Sequence, residues 1–298
     1  MKKFILKGIY FGLFFLLFSV IVNGIFMVLI VKTDWDFMKR LESLRWEDPR
    51  YEVLILGTSL SEYGVDAELM TSKGIPTFNL SFVGSSLKTN YVQLEEYLTK
   101  YPHKPRYVLL ATNSYLEEFD QEGIQPVIEF TMKDHRYGMK DVPISKFNWC
   151  GMELLKKLIR PHYRKMEVVL GQKRNNTVEY DNSGYQELYL NIDTYENARW
   201  MGEIARLCDE YGVTFIAIDI PGVKETQNLS EVGPHLLHFG NGHTANLYNF
   251  NAQDFCTDLE IEDDWGGLSH LNRYGAVKLT EALLTRTPLS NMVSGSKP

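Results

Sequence analysis

Four short apolar runs, 53–56 (VLIL), 77–80 (TFNL), 107–112 (YVLLAT) and 213–218 (VTFIAI), stand well apart along the chain. Runs of this length, uninterrupted by alternating polar positions, predict strands buried on both faces. A weaker fifth candidate lies at 247–250 (LYNF). Between the runs the apolar spacing changes to a helical one. Leu87, Tyr91, Leu94 and Leu98 fall on one helical face, and 196–211 repeats the pattern with Trp200, Ile204 and Leu207 inward and Gly212 as its stop. Asn272 is placed to cap a last helix carrying Ala276, Leu279 and Leu283 on one face. Strands alternating with helices predict an α/β domain around a parallel sheet.

The N-terminal pattern is different. Residues 9–31 form a stretch of 23 residues without a charge, in which only Ser19 and Asn23 are strongly polar. About 20 apolar residues span a bilayer core, so this segment predicts a transmembrane helix. Lys2, Lys3 and Lys7 precede it, whereas Asp34 and Asp36 follow closely after Lys32. That bias predicts a single-pass protein of the cell membrane with a cytoplasmic N-terminus and an extracytoplasmic domain. A cleaved signal is the rival reading, but its apolar region usually runs to only ~7–15 residues. The predicted plan is an anchor at 1–32, a juxtamembrane helix at 33–50, an α/β domain at 51–290 with an insertion at about 120–210, and a tail at 291–298.

Two segments break the strand–helix rhythm. Residues 120–190 are rich in Tyr, His, Lys and Arg, include a candidate helix at 150–159, and read as a lid over the sheet's carboxyl edge. Their aromatic residues, among them Tyr137, Phe147, Trp149 and Tyr163, suit either stacking on sugar rings or a satellite core. Residues 221–246, rich in Gly, Pro, Asn and His, read as one long loop of functional or mobile character.

Composition narrows the function classes. The 298 residues carry a formal net charge of −7, and no basic stripe follows the N-terminus, which argues against a nucleic-acid partner. Cys150, Cys208 and Cys256 lie far apart, without metal-ligand spacing or the even number of a disulfide framework. His235, His238 and His243 lie close in sequence but lack a fourth ligand, so neither metal nor cofactor is expected. Asn79, Asn175 and Asn228 begin Asn-x-Ser/Thr sequons, relevant in a glycosylating host.

The chemistry-bearing residues cluster after the predicted strands, where open α/β sheets bind ligands. Gly57-Thr58-Ser59 follows the first strand and offers a hydroxyl at the start of the next element. Gly84, in the segment FNLSFVGSS after the second strand, supplies a backbone N–H on a permissive residue. Asn113 follows the third strand with a side-chain amide. Late in the chain, 263–272 (DDWGGLSHLN) places His270 just ahead of the last helix, where it could act as base for a serine. Singly, each has an ordinary reading as a turn or capping residue.

In this order the segments resemble the SGNH hydrolase superfamily. The resemblance covers roughly residues 50–286 apart from the insertion. The His-Leu-Asn continuation and Gly275-Ala276 are similar to its membrane-anchored O-acyltransferase and D-alanyl-transfer branch. It implies a flavodoxin-like three-layer α/β sandwich with a central parallel sheet, behind the N-terminal membrane helix. It further implies acyl transfer through Ser59, with His270 as base and an oxyanion hole of the Ser59 and Gly84 N–H groups and the Asn113 amide. The family's supporting Asp stands three residues before its His, and here that position is Gly267. Asp264 is the candidate substitute, folded back by the Gly266-Gly267 pair. Asp263, a backbone carbonyl in a Ser-His dyad, or a site that only binds are the alternatives. The expected activity is O-acetylation, or a similar acylation, of a cell-envelope polysaccharide. An integral-membrane acyl donor would be the partner, the polysaccharide the acceptor and the bilayer the support. An esterase of the same fold, or a non-catalytic glycan-binding component, is the alternative.

Overall fold

A computed structural model describes residues 2–33, 39–40, 42–112, 167–178, 188–189, 192–221, 225–226, 231–256, 258–260, 263–267 and 270–294. The described residues up to Arg45 belong to one compact unit and those from Trp46 onward to a second. The expectations for Asn113, Cys150, Asn228, the helix at 150–159 and the aromatic residues of 137–163 lie outside the described residues.

The first unit contains helix α1, Lys2–Thr33. It is longer than the apolar stretch because the flanking lysines also sit on it. Within it, Lys2–Val22 is long and apolar enough to cross a membrane, and none of that window is buried. Phe4, Phe11, Phe14 and Leu16 are more than half exposed. Such a continuous apolar surface is costly in water and suits a bilayer; a signal sequence would have the same properties. The expected helix over 33–50 is shorter than that. Among the described residues of this stretch, 33, 39–40 and 42–43 are helical, 44–45 turn, and 46–50 form no regular element.

In the second unit, the chain enters through Trp46, whose ring meets Phe78 edge-on at 4.7 Å and lies against Tyr51, Tyr97 and Tyr101. The elements then follow in order: β1 (Val53–Gly57), α2 (Ser59–Gly64), α3 (Ala67–Ser72), β2 (Thr77–Asn79), α4 (Leu87–Lys100) and β3 (Tyr107–Thr112). After the gap come the hairpin β4 (Glu167–Val169) and β5 (Gln172–Arg174), β6 (Leu188–Tyr189), α5 (Ile192–Glu196), α6 (Arg199–Tyr211) and β7 (Thr214–Asp219). The chain continues with β8 (Glu225–Thr226), β9 (His235–His238), β10 (Thr244–Asn249), α7 (Gln253–Cys256), α8 (Arg273–Arg286) and α9 (Ser290–Ser294).

The main sheet has the order β2-β1-β3-β7-β10-β9, with every pairing parallel except β10–β9. In the parallel portion this is the flavodoxin-like pattern, which brings the carboxyl ends of five strands to one edge. Residues 221–246 are therefore not one long loop: they contain β8, the antiparallel edge strand β9 and the start of β10. The predicted insertion also ends earlier than 210, because α6 packs against α4 and β7 as part of the sandwich. The last helical turn, α9, occupies part of the expected tail.

Alternation along the strands gives two cores. Val53, Ile55, Leu109, Ala111, Ile216 and Ile218 join one buried cluster with Met70 of α3 and Leu279 and Leu283 of α8. Leu54, Leu56, Val108 and Leu110 face the opposite way and are fully buried as well. Each such side chain contributes roughly 1.5–3 kcal/mol relative to exposure. Gly212 ends α6 in the left-handed conformation and Asn272 caps α8 through its side chain, as the sequence predicts.

Candidate active site

The nucleophile candidate is set by the abrupt end of β1. Gly57 has φ +140°, and a Cβ there would lie 2.1 Å from the Ala111 carbonyl oxygen and 2.3 Å from Ser61 Oγ. Only glycine permits this close crossing of β3. Thr58 then caps α2, its hydroxyl accepting from Leu60 N at 3.3 Å, and Ser59 takes the first helical position. An N–H at that position has no intrahelical acceptor, so it can serve an external group. The turn is held from below by buried polar side chains. Asn90 Oδ1 accepts from Gly57 N at 3.1 Å, and the Ser61 hydroxyl lies 2.9 Å from the Thr58 carbonyl and 2.8 Å from the Ser81 hydroxyl. Asn79 Nδ2 donates to the Ser61 carbonyl at 2.8 Å.

His270 arrives from the other end of the chain. Its Nε2 is 2.8 Å from Ser59 Oγ, although 211 residues separate the two in sequence. With the ring proton on Nδ1, Nε2 accepts the Ser59 hydroxyl. The Tyr63 ring meets the imidazole edge-on at 5.2 Å. Loss of water around the imidazole holds its pKa below the ordinary histidine value, so it is neutral and able to accept a proton at neutral pH.

The loop carrying His270 closes on itself. Gly266 N donates to the His270 carbonyl at 2.9 Å, Trp265 bridges to Leu271, and Asn272 N donates to the Asp264 carbonyl at 2.9 Å. Asn272 Nδ2 reaches the Asp263 carbonyl at 2.6 Å, while its Oδ1 accepts from Tyr274 N and Gly275 N. Gly275 makes room for this, since a Cβ there would lie 2.4 Å from the Asp264 carbonyl oxygen.

Asp264 is not where the sequence suggested. Its Oδ2 is 2.7 Å from Lys278 Nζ and accepts from Glu260 N at 2.7 Å, while its buried Oδ1 makes no hydrogen bond. The carboxylate therefore turns toward α8 and neutralises Lys278, and it does not bond the imidazole. A buried carboxylate next to a helix ammonium gains more from that ion pair than from a neutral ring N–H. Asp263 gives its carbonyl to Asn272, as above. Gly84 lies in the loop after β2, at φ +70° in a turn closed by Ser85 N to the Phe82 carbonyl at 3.2 Å. That is the left-handed position of a type II turn, which explains the glycine. β3 ends at Thr112, level with Asp219 of β7. Topology thus brings Ser59 and the Gly84 segment to the sheet edge at which β3 ends.

The fold is a flavodoxin-like α/β sandwich with strand order 2-1-3 followed by two further parallel strands, a serine two residues past the end of β1 and, 2.8 Å from it, a histidine three residues ahead of α8. No family model and no curated protein matches the chain. Among solved structures, it is similar to a protein of Bacteroides fragilis NCTC 9343 named for an inferred acylhydrolase activity. That likeness has 9% identity and a TM-score of 0.38 over 89% of this chain and 99% of the other. It is also similar to LAE5, an alpha/beta hydrolase enzyme from the metagenome of Lake Arreo, Spain, at 11% identity and TM-score 0.28, over 80% and 95% of the two chains. AlinE4, an SGNH-hydrolase family esterase, aligns at 13% identity and TM-score 0.21, over 85% of this chain and 100% of its own. With these scores below 0.5, the fold statement stands on the chain's own strand order.

Several contributors escaped the sequence reading. Asn90, Ser61 and Ser81 build the floor under the serine turn, and Lys278 anchors the histidine loop. Asn79 and Asn175, visible only as sequons, are buried with their amide nitrogens already donating to backbone carbonyls. His243 Nδ1 pairs with Asp209 at 2.6 Å, and no cluster of three or more metal-ligating acids, histidines or cysteines occurs among the described residues.

Proposed function

We propose that the protein is a membrane-anchored extracytoplasmic serine acyltransferase that modifies a cell-envelope polysaccharide. The observation that carries this reading is the 2.8 Å contact between Ser59 Oγ and His270 Nε2 at the carboxyl edge of the sheet. A serine within hydrogen-bond reach of a neutral imidazole is an activated nucleophile.

In this reading His270 Nε2 takes the Ser59 proton as Oγ attacks an ester or thioester carbonyl. The oxyanion receives hydrogen bonds from the Ser59 and Gly84 N–H groups and the Asn113 amide. Collapse breaks the bond to the leaving oxygen or sulfur, which takes the proton back from His270 and leaves an acyl-Ser59. A sugar hydroxyl then gives its proton to His270 and attacks the acyl carbon, and Ser59 is released with that proton. The apolar α1 supports placement beside a bilayer, where an integral-membrane partner would deliver acyl groups and glycan acceptors lie outside.

The test is a Ser59→Ala variant in the native host, read as ester-linked acyl groups on the envelope polysaccharide. The purified full-length chain is challenged in parallel with a fluorophosphonate probe and a short-chain acyl ester. The proposal expects loss of the glycan ester and of labelling in the variant. Ester cleavage without glycan acylation would make the protein an esterase of this fold. Unchanged glycan acylation in the variant would remove the catalytic reading and favour a glycan-binding component.

A further inference from the structure

We propose that Asn175 is a positioning residue for His270, and that the hairpin leading into it is a strap that ties the serine helix to the histidine loop. This rests on the Ser59–His270 reading above.

The strap begins at the β4–β5 turn, where Leu170 and Gly171 both have positive φ, +47° and +83°. Two consecutive positive φ values mark a tight turn of the kind that matches strand twist. The turn docks on the end of β2. Asn79 N donates to the Leu170 carbonyl at 2.9 Å, and a Cβ on Gly171 would lie 2.0 Å from the Asn79 carbonyl oxygen. From that fixed point the chain runs past α2, the helix that begins with Ser59. Gln172 Nε2 reaches the Tyr63 carbonyl at 3.4 Å, and Lys173 Nζ is 3.2 Å from the fully buried Glu62. Arg174 pairs with Glu68, and lies 3.8 Å from Asp66 just beyond α2.

The next residue crosses to the histidine loop. Asn175 Nδ2 donates to the Gly266 carbonyl at 2.9 Å, and Arg273 N donates to the Asn175 carbonyl at 2.9 Å. These two bonds grip the loop on both sides of His270. Asn175 Oδ1 accepts from Thr177 N at 3.0 Å, which locks the amide in orientation. Gly266 is shaped for the contact, because a Cβ there would lie 2.2 Å from Asn175 Nδ2. Gly266 N in turn donates to the His270 carbonyl. Four consecutive residues, Gln172 to Asn175, thus hold both halves of the Ser–His pair. An error of about 1 Å in such a pair can cost about 10²-fold in rate.

The experiment uses the detergent-solubilised full-length chain with Asn175→Asp and Asn175→Ala. Two quantities are measured: the pH profile of Ser59 labelling by a fluorophosphonate, and the His270 titration by NMR of ¹³Cε1-labelled histidine. Asn175→Asp keeps the size, the Thr177 contact and the backbone bond to Arg273 but loses the donor to Gly266, so it decides alone if the alanine variant does not fold. The expected result is a labelling rate lower by about 10–100-fold and a His270 titration moved up toward the ordinary histidine range as the imidazole gains water. A purely structural role would lower thermal stability and leave that titration in place. Wild-type titration together with labelling within twofold of wild type overturns the proposal. If the wild-type serine is not labelled at all, the nucleophile reading fails. The NMR arm then still judges Asn175: a moved titration supports the strap and an unmoved one overturns it.

Discussion

Replacing Gly57 by alanine tests the claim that the nucleophile turn exists only because β1 ends on a residue without a side chain. Two costs add. The backbone sits at φ +140°, a region in which L side chains carry strain of about 1–3 kcal/mol. The new methyl would also lie 2.1 Å from the Ala111 carbonyl oxygen, in the middle of the β1–β3 ladder. Overpacking of this kind costs typically 1–3 kcal/mol. Together they predict a loss of about 2–6 kcal/mol, and at about 2–4 °C per kcal/mol a melting temperature lower by about 4–24 °C. The molecule contains its own control. Gly74 has φ +86° but no heavy atom within 4 Å of an added Cβ, so Gly74→Ala carries the strain without the overlap. The assay is thermal unfolding of the two variants beside wild type, together with the Ser59 labelling rate. If Gly57→Ala melts within about 3 °C of Gly74→Ala and labels normally, the close crossing of β1 and β3 is not what fixes Ser59.

Two further expectations follow from the same surroundings. Asp264→Asn should reduce stability by about 1–3 kcal/mol through loss of the Lys278 pair, and Lys278→Met should reproduce most of that loss, as a double-mutant cycle would show. A fall of about 10⁴ in the acylation rate for Asp264→Asn alone would instead make Asp264 the imidazole's orienting acid. Asp219, fully buried at the end of β7, has its pKa pushed up to about 7 by burial, opposed by hydrogen bonds from Tyr195 and Asn251. The folded state therefore holds a proton that the unfolded chain releases near pH ~4, and this contribution to stability is lost as pH rises from there through about 7. Urea unfolding at pH 5 and pH 8 should show a larger loss on going to pH 8 in wild type than in Asp219→Asn, and equal losses would refute the assignment.

The parallel part of the sheet was legible because its strands are buried on both faces, which leaves continuous runs such as VLIL and YVLLAT. The antiparallel edge was not. In β9 only Leu237 is buried, while His235 is half-buried and Leu236 and His238 are exposed, so the segment carries no long apolar run and its Gly and Pro content reads as loop. The juxtamembrane helix was drawn too long, because the spacing of apolar residues through Trp46 suits a helix equally well. In the fold that ring is instead spent on the aromatic cluster with Tyr51 and Phe78. Ser59 and His270 were legible through their order relative to the strands and the last helix. The partner of Asp264 was not, since sequence offers two acids, two glycines and a lysine fourteen residues on without saying which way the loop folds. Asn175 was hidden for a similar reason: its role comes from a hairpin that crosses two elements distant in sequence.

The Ser59–His270 pair is joined less by its own hydrogen bond than by the apolar core beneath it. Leu60, next to Ser59, and Leu271, next to His270, belong to the same buried cluster, together with Trp265 and Leu279. Each polar side chain is thus the neighbour of an anchor that cannot move without opening a cavity, at a cost of about 2–5 kcal/mol for a leucine. A hydrogen bond of net value near ~1 kcal/mol could not by itself hold in register two residues 211 positions apart in the chain. It forms because packing has already placed its atoms. Leu271→Ala should therefore slow fluorophosphonate labelling of Ser59 at temperatures where the sheet is still folded by circular dichroism, since the histidine loop depends on that anchor while the serine turn keeps its own; unchanged labelling would refute the role of the core.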